Sequence, residues 1–492
     1  MKDTGSSYNH ILKYTSAFGG IEGLNILIGL VRNKLVALML GPEGMGLIAL
    51  FNSTIKFLSD STNCGIPISA VRNISSAYEE GNSGYLKDTI SKVRTFSILV
   101  AVAGMLLCII LSPMLSKVVF SSENHTLHFV ILSPIIAMMT ATGGEIAILK
   151  GVRQLSKLAK VQVITVILAL IISVPLYYYY GQKGIVPSLL LMSFASMLVT
   201  IMYSYKLYHV KINLSKKIIY NDNGMLKLGF AFVIVGILGS GTDLVIRSFI
   251  NQTSSLTMVG LYNAGYMITM TYAGMVFSAM ETDYFPRLAA IGNDMKQQNL
   301  VVNRQIEVSL LLISPMLVFF MIALPVILPL LYSGKFLPVM GMIQIVIIAM
   351  YFRAIKLPIE YLPLAKGDSK IYLFLESVYD IVVVILVILG FSLFRLTGAG
   401  FALTISGFLE FVMLIAFARY KYKYKMTESV VLYALIQITI GLLAYAVTYI
   451  ENPVYYSISG TLLFIISSVI SLRILHRKTK LWTKLKNKFN SL

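Results

Sequence analysis

The chain has 492 residues, 57% of them hydrophobic and only 13% charged. A soluble domain is about a quarter charged, so a water-soluble enzyme or binding module is excluded. The formal net charge of +19 would suit a nucleic-acid-binding protein, but in a polytopic membrane protein basic residues collect in cytoplasmic loops. Cys64 and Cys108 lie in apolar stretches and read as packing residues, not as a disulfide framework.

Apolar windows of about 20 residues, bounded by Gly, Pro, Asn or charge clusters, predict spanning helices. They fall at 14–40, 46–71, 95–120, 126–149, 158–180, 185–208, 226–250, 256–282, 306–332, 337–362, 371–394, 397–418, 428–450 and 453–474. The first is long and lacks a small-residue cleavage site, so it reads as a retained helix and not as a signal peptide. In this helix Asn25, Gly29 and Arg32 share one face, because residues three, four or seven apart do so in an α-helix. Arg32 is deep in the apolar run and cannot deprotonate, so it is expected to face water, a counter-ion or a substrate. Lys34 is turned by about 200° from it and lies two turns from Gly41, close enough to snorkel to the interface.

Helix 2 carries a longer polar stripe, Asn52, Lys56, Ser59, Asp60 and Asn63, which either lines a cavity or packs on another polar face. Helix 7 repeats the pattern with Ser240, Asp243, Arg247 and Asn251, and helix 8 adds Asn263 and Tyr266. Asp243 and Arg247, four apart, read equally well as a mutually neutralised pair, as do Lys56 and Asp60. Arg353 in helix 10 continues into Lys356 and Glu360 on one face, which fits a cavity entrance or interfacial charge. Asp60, Asp243 and Glu22 are the candidates for ion or proton coupling. Glu145, Glu307, Glu376, Asp380 and Glu410 lie near predicted helix ends, where water would solvate them.

With the N-terminus inside, Lys117, Lys183, Lys335 and Arg395 are the basic residues of the outer loops. Arg32, Lys34, Lys56, Arg247 and Arg353 lie within helices, and the rest of the 41 Lys and Arg gather on the inner side. That asymmetry predicts cytoplasmic termini, which an even number of crossings also requires. Tyr177–Tyr180 at an outer boundary and the alternating 419–425 Arg/Lys/Tyr run at an inner one read as interfacial anchors. No loop exceeds about 25 residues, too short for an appended catalytic domain. His10, His125, His128, His209 and His476 form neither a metal ligand set nor a nucleophile–base pair, and there is no Gly-rich phosphate loop. No cofactor and no enzymatic activity are expected.

Met45-Gly-Leu-Ile-Ala opens helix 2 and Val259-Gly-Leu-Tyr-Asn opens helix 8, each after a helix with an embedded arginine. The echo suggests two related lobes, a common transporter plan. The expected division is a six-helix lobe at 1–215, a second at 216–425, two added helices at 426–475 and a basic tail at 476–492. The fold class is therefore all-α polytopic membrane protein.

The stretch Leu30-Val-Arg-Asn-Lys-Leu-Val-Ala-Leu-Met-Leu-Gly-Pro-Glu-Gly-Met-Gly-Leu, followed by an apolar helix with Gly65-Ile-Pro67, resembles the start of O-antigen translocases of the Wzx type. These belong to the multidrug/oligosaccharidyl-lipid/polysaccharide exporter superfamily. The resemblance implies two six-helix bundles in a MATE-like V shape plus helices 13 and 14. It also implies transfer of an undecaprenyl-pyrophosphate-linked oligosaccharide from the inner to the outer leaflet of a bacterial cytoplasmic membrane, through a cationic central cavity. Arg32 fits the arginine that related lipid-pyrophosphate flippases require on helix 1. Lys56, Arg247 and Arg353 match as further cationic candidates by type and approximate place. A polysaccharide polymerase and a chain-length regulator are the implied partners, with no nucleic acid.

The rival within the superfamily is a cation-coupled multidrug exporter, for which cavities dominated by acids and aromatics are expected. A membrane glycosyltransferase or polymerase would place catalytic residues in a large outer loop, which is absent. A structural scaffold gives no reason for polar stripes on several helices.

Overall fold

The computed structural model describes residues 4–121, 124–209, 223–272, 277, 284–285, 287–292 and 294–479. All regular structure among them is helical: α1 (Thr4–Thr62), α2 (Ile66–Glu79), α3 (Ser83–Phe120), α4 (Thr126–Gly151), α5 (Leu155–Tyr180), α6 (Ile185–Tyr205), α7 (Asn223–Thr253), α8 (Leu256–Tyr266), α9 (Met295–Leu331), α10 (Met340–Ala365), α11 (Ser369–Tyr422), α12 (Glu428–Val447) and α13 (Pro453–Thr479). Nine helical stretches among the described residues are long and apolar enough to cross a membrane, so this is a multi-pass membrane protein.

Three of those stretches contain a break at a boundary expected from the sequence. The first, α1, breaks at Gly41, where φ is 66° and the next residue, Pro42, has no N–H to continue the ladder. Between α5 and α6 the chain turns through the 3₁₀ segment Gly181–Gly184. The long α11 breaks at Phe394 and Arg395, the latter with φ 52°.

The second predicted helix differs from its expectation of 46–71. It stops at Thr62, and α2 starts anew at Ile66, because Gly65 is left-handed at the cap and Asn63 Oδ1 accepts the Gly65 N–H at 2.8 Å. The following segment, expected as a loop to residue 94, is helical: Ile66, Ala70, Ile74 and Ala77 of α2 bury against Leu86, Ile90 and Val93 of α3. Cys64, expected to pack, is exposed in that turn, whereas Cys108 is buried.

Packing divides the chain into two compact units, Met1–Gly260 with Leu331–Ser333, and Leu261–Leu330 with Gly334–Leu492. In the first unit the glycines of the two echoing motifs meet. A side chain at Gly46 would collide with the Leu256 carbonyl, and one at Gly260 with the Pro42 carbonyl, each lying four residues before the other glycine. Each such Cβ would also sit 3.0 Å from the opposite glycine's amide nitrogen. Deeper in this unit Arg94 and Glu145 form a buried bidentate pair at 2.8 and 3.1 Å. Arg94 also donates to the Tyr208 carbonyl at 2.9 Å and lies 3.5 Å from the Tyr205 ring centroid. Glu145 is thus paired, not solvated as its position in sequence suggested.

In the second unit α12 and α13 dock through polar contacts. Lys478 Nζ lies 2.5 Å from Glu307 Oε2 on α9, another acid expected to be solvated. Gln437, fully buried, donates to Ser471 Oγ at 3.0 Å and accepts from Ser467 at 2.8 Å. The Tyr456 hydroxyl donates to the Ile322 carbonyl of α9, and Gly441 of α12 lies against the ring of Tyr351 on α10.

Candidate functional site

The helix-1 cation is held by side chains of α5 and α6. Arg32 is half-buried, with Nε donating to Ser173 Oγ at 3.2 Å and Nη2 directed at Met192 Sδ at 3.4 Å. The Tyr177 hydroxyl, bonded by Ser188 Oγ at 3.0 Å, lies beside the guanidinium. Among the described residues Arg32 has no carboxylate within ion-pair distance, and its five N–H donors exceed the neutral partners it has there. On the same face the Asn25 Oδ1 is buried without a hydrogen-bond partner among the described residues, while the Glu22 side chain lies outside them. Lys34 is half-buried.

The stripe on the second arm of α1 divides in two. Asn52 and Lys56 are exposed, and Lys56 interacts electrostatically with Asp60 four residues on. Ser59 is buried, and Asp60 packs against α7, where a Cβ on Gly236 would be 3.6 Å from its own. Ser240 donates to the Gly236 carbonyl at 2.5 Å and is within hydrogen-bonding reach of Asp60. Asn63 is committed to the Gly65 turn. Arg247 is taken up by its own helix: it is buried, 2.6 Å from Asp243 Oδ1, and bonds the Asp243 carbonyl at 3.0 Å. Asn251 caps the end of α3 by donating to the Val119 carbonyl at 2.9 Å. Asn263 is half-buried. His125 and His128 face each other with their Nδ1 atoms 3.1 Å apart. Burial and the neighbouring His128 hold the His125 imidazole below its ordinary pKa.

The second unit holds a cavity of about 310 Å³. Arg353 and Lys356 line it, with Glu360 of α10, Glu376, Tyr379 and Glu410 of α11, and Tyr266 at the end of α8. Arg353 donates to the Met270 carbonyl at 3.2 Å, within the π-helical turn Met267–Tyr272 that continues α8. Such turns recur at functional sites. Lys356, half-buried, pairs with the buried Glu410. The carboxylate oxygens of Glu360, Glu376 and Glu410 all lie within 4.8 Å of one another. Sequence spacing places Arg353, Lys356 and Glu360 on one face but leaves out Glu376 and Glu410. These two belong to opposite arms of a broken helix, and only the break at 394–395 folds them together.

The sequence pattern described as polysaccharide biosynthesis protein matches residues 35–341, from the first arm of α1 to the start of α10. The chain belongs to that family. Among solved structures this polysaccharide biosynthesis family member is similar to the lipid II flippase MurJ in an inward closed conformation, at 17% identity and a TM-score of 0.71, over 94% of this chain and 99% of that one. It is similar as well to the inward-facing conformation of a multidrug resistance MATE family transporter of the MOP superfamily, at 14% identity and a TM-score of 0.67, over 81% and 94% of the two chains. A third is a MOP superfamily transporter from Pyrococcus furiosus, at 12% identity and a TM-score of 0.57, over 81% and 93%. The family member thus has the fold of MOP-superfamily transporters and flippases. No curated protein sequence matches it.

Proposed function

We propose that this protein is a flippase that moves an undecaprenyl-pyrophosphate-linked oligosaccharide from the inner to the outer leaflet of a bacterial cytoplasmic membrane, with both termini cytoplasmic. The observation that carries the reading is Arg32, a guanidinium within a membrane-spanning helix that has hydrogen bonds but no counter-ion among the described residues. Intramembrane charges are otherwise paired, so an unpaired arginine suits an anionic cargo, and its planar fork suits phosphate oxygens. Lys56, exposed and only weakly offset by Asp60 four residues on, is the second cation of this site. Arg247 contributes less, since Asp243 already neutralises it. The sugar head group travels through an aqueous cavity while the polyprenyl tail stays in lipid, the two lobes alternating between inward and outward access. A polysaccharide polymerase and a chain-length regulator act on the delivered product.

The test is complementation of a flippase-deficient strain. Arg32→Ala abolishes surface-polysaccharide export at normal protein abundance, and Lys34→Ala preserves it. An Arg32→Ala protein that accumulates and still exports removes Arg32 from the site. The second reading, a cation-coupled multidrug exporter, is favoured by the carboxylate-lined cavity of the second unit. It requires that expression lowers accumulation of lipophilic cations.

A further inference from the structure

Arg32 and Arg94 present the same edge of the guanidinium, Nε and Nη2, to very different partners. Arg94 uses it as a fork on the Glu145 carboxylate, at 2.8 and 3.1 Å. In Arg32 the edge rests on Ser173 Oγ at 3.2 Å and Met192 Sδ at 3.4 Å. A hydroxyl oxygen is a neutral acceptor and a thioether sulfur a weak one, whereas hydrogen bonds between two ionised groups are about twice as strong as neutral ones. The edge that takes two anionic oxygens elsewhere in this unit is thus held here by atoms that an anion outcompetes, the sulfur first.

The two partners differ in how readily they move. Ser173 is fully buried, and its hydroxyl hydrogen is committed to the Ala169 carbonyl at 2.6 Å, which leaves its lone pairs to Arg32. Met192 is half-buried on α6, and its unbranched side chain swings aside by rotation about single bonds. A third contact comes from Tyr177, one turn beyond Ser173 on the same face of α5. Expected from the sequence as one of four interfacial anchors, Tyr177 is only 1% exposed, whereas Tyr178, Tyr179 and Tyr180 are exposed. Its hydroxyl oxygen accepts from the fully buried Ser188 Oγ at 3.0 Å and lies within hydrogen-bonding reach of Arg32. The phenol is therefore fixed on one side and supports the guanidinium on the other. One turn before Arg32 on its own face, a Cβ on Gly29 would meet nothing within 4 Å, so there is room for a ligand beside the guanidinium.

On the reading of Arg32 as the pyrophosphate site, on which this step depends, we propose that Met192 is a displaceable placeholder at Nη2 and that Tyr177 and Ser173 are positioning residues. A phosphate oxygen replaces the sulfur at Nη2. Ser173 and Tyr177, held by Ala169 and Ser188, keep the guanidinium aimed while the sulfur leaves. Until the cargo arrives, Met192 keeps a membrane-embedded cation partnered without neutralising it.

Native mass spectrometry of the full-length, detergent-solubilised protein, titrated with undecaprenyl pyrophosphate against undecaprenol as the uncharged background, tests this on binding alone. Met192→Leu conserves volume but removes an acceptor that only the free protein uses, so affinity rises by about two- to tenfold, the range one hydrogen bond is worth. Tyr177→Phe lowers affinity by a similar factor, and Ser188→Ala provides the same test if that variant is not monodisperse. Tyr178→Phe leaves affinity unchanged. Both shifts vanish in an Arg32→Lys background, which keeps the charge but lacks the guanidinium edge, as a double-mutant cycle requires of residues that act through it. A merely structural role moves Met192→Leu and Tyr177→Phe in the same direction and persists with Arg32→Lys. Unchanged or weaker binding by Met192→Leu overturns the placeholder, and unchanged binding by both Tyr177→Phe and Ser188→Ala overturns the positioning role. Arg32→Ala separates the two levels. If it binds like the wild type, the pyrophosphate site and this inference fall together; if it loses binding while the other variants do not shift, this inference falls alone.

Discussion

At the scale of residues, Arg94 and Arg32 are opposite solutions to the same cost. Arg94 is matched on every side by two carboxylate oxygens, a backbone carbonyl and an aromatic face, and only 2% of its side chain is exposed. Removing one partner of a buried pair leaves the other uncompensated, a loss of about 3–5 kcal/mol, whereas replacing both by apolar groups of similar volume is often neutral. Arg94→Ala is therefore expected to lower the thermal midpoint of the detergent-solubilised protein by many degrees, and Arg94→Leu with Glu145→Leu to recover most of it. An Arg94→Ala protein that melts with the wild type shows that the pair holds nothing together. Arg32 is legible in the sequence because it interrupts the middle of an apolar window. Arg94 is not, because it falls one residue outside the window at 95–120, where a charge looks interfacial. Its partner Glu145 is 51 residues away, a separation no helical periodicity reports.

At the scale of elements, the crossing of Gly46 and Gly260 makes a sharp demand. Each glycine faces the carbonyl four residues before the other, so a methyl group on either requires backbone to move. Gly46→Ala and Gly260→Ala are expected to destabilise by about 1–3 kcal/mol, the usual range for overpacking. Gly239, on the exposed side of α7 with nothing within 4 Å of where a Cβ would stand, is the counterexample: Gly239→Ala stabilises by up to about 1 kcal/mol through helix propensity. Equal effects at the crossing and at Gly239 in thermal or denaturant unfolding count against the tight contact. Both motifs are visible in the sequence as an echo, but their meeting is not, since a repeated motif states a likeness and not a contact. Hydropathy alone sees α3 to α6 well. It misses α2, whose 14 residues are amphipathic and too short to cross a bilayer. The spacing of Ile66, Ala70 and Ile74 holds that information.

At the scale of the whole molecule, the proposed cargo is an anion moving away from an inside-negative compartment. Each charge carried outward gains about 2.3 kcal/mol per 100 mV, so the membrane potential alone can bias export. In proteoliposomes clamped by valinomycin and potassium, an inside-negative potential is expected to speed outward transfer of a fluorescent polyprenyl-pyrophosphate glycan, and its reversal to slow it. Rates indifferent to voltage mean that compensating charge moves with the cargo.

The docking of α12 and α13 has a consequence for the helices that receive them. Although most of the pair's surface is exposed and apolar, it is anchored to α9 and α10 by specific contacts. Glu307 on α9 meets Lys478, the Ile322 carbonyl meets Tyr456, and Tyr351 on α10 lies against Gly441. Removing these helices would bare an acid of α9 and a tyrosine ring of α10. The C-terminal pair is thus a condition of the solvation of α9 and α10.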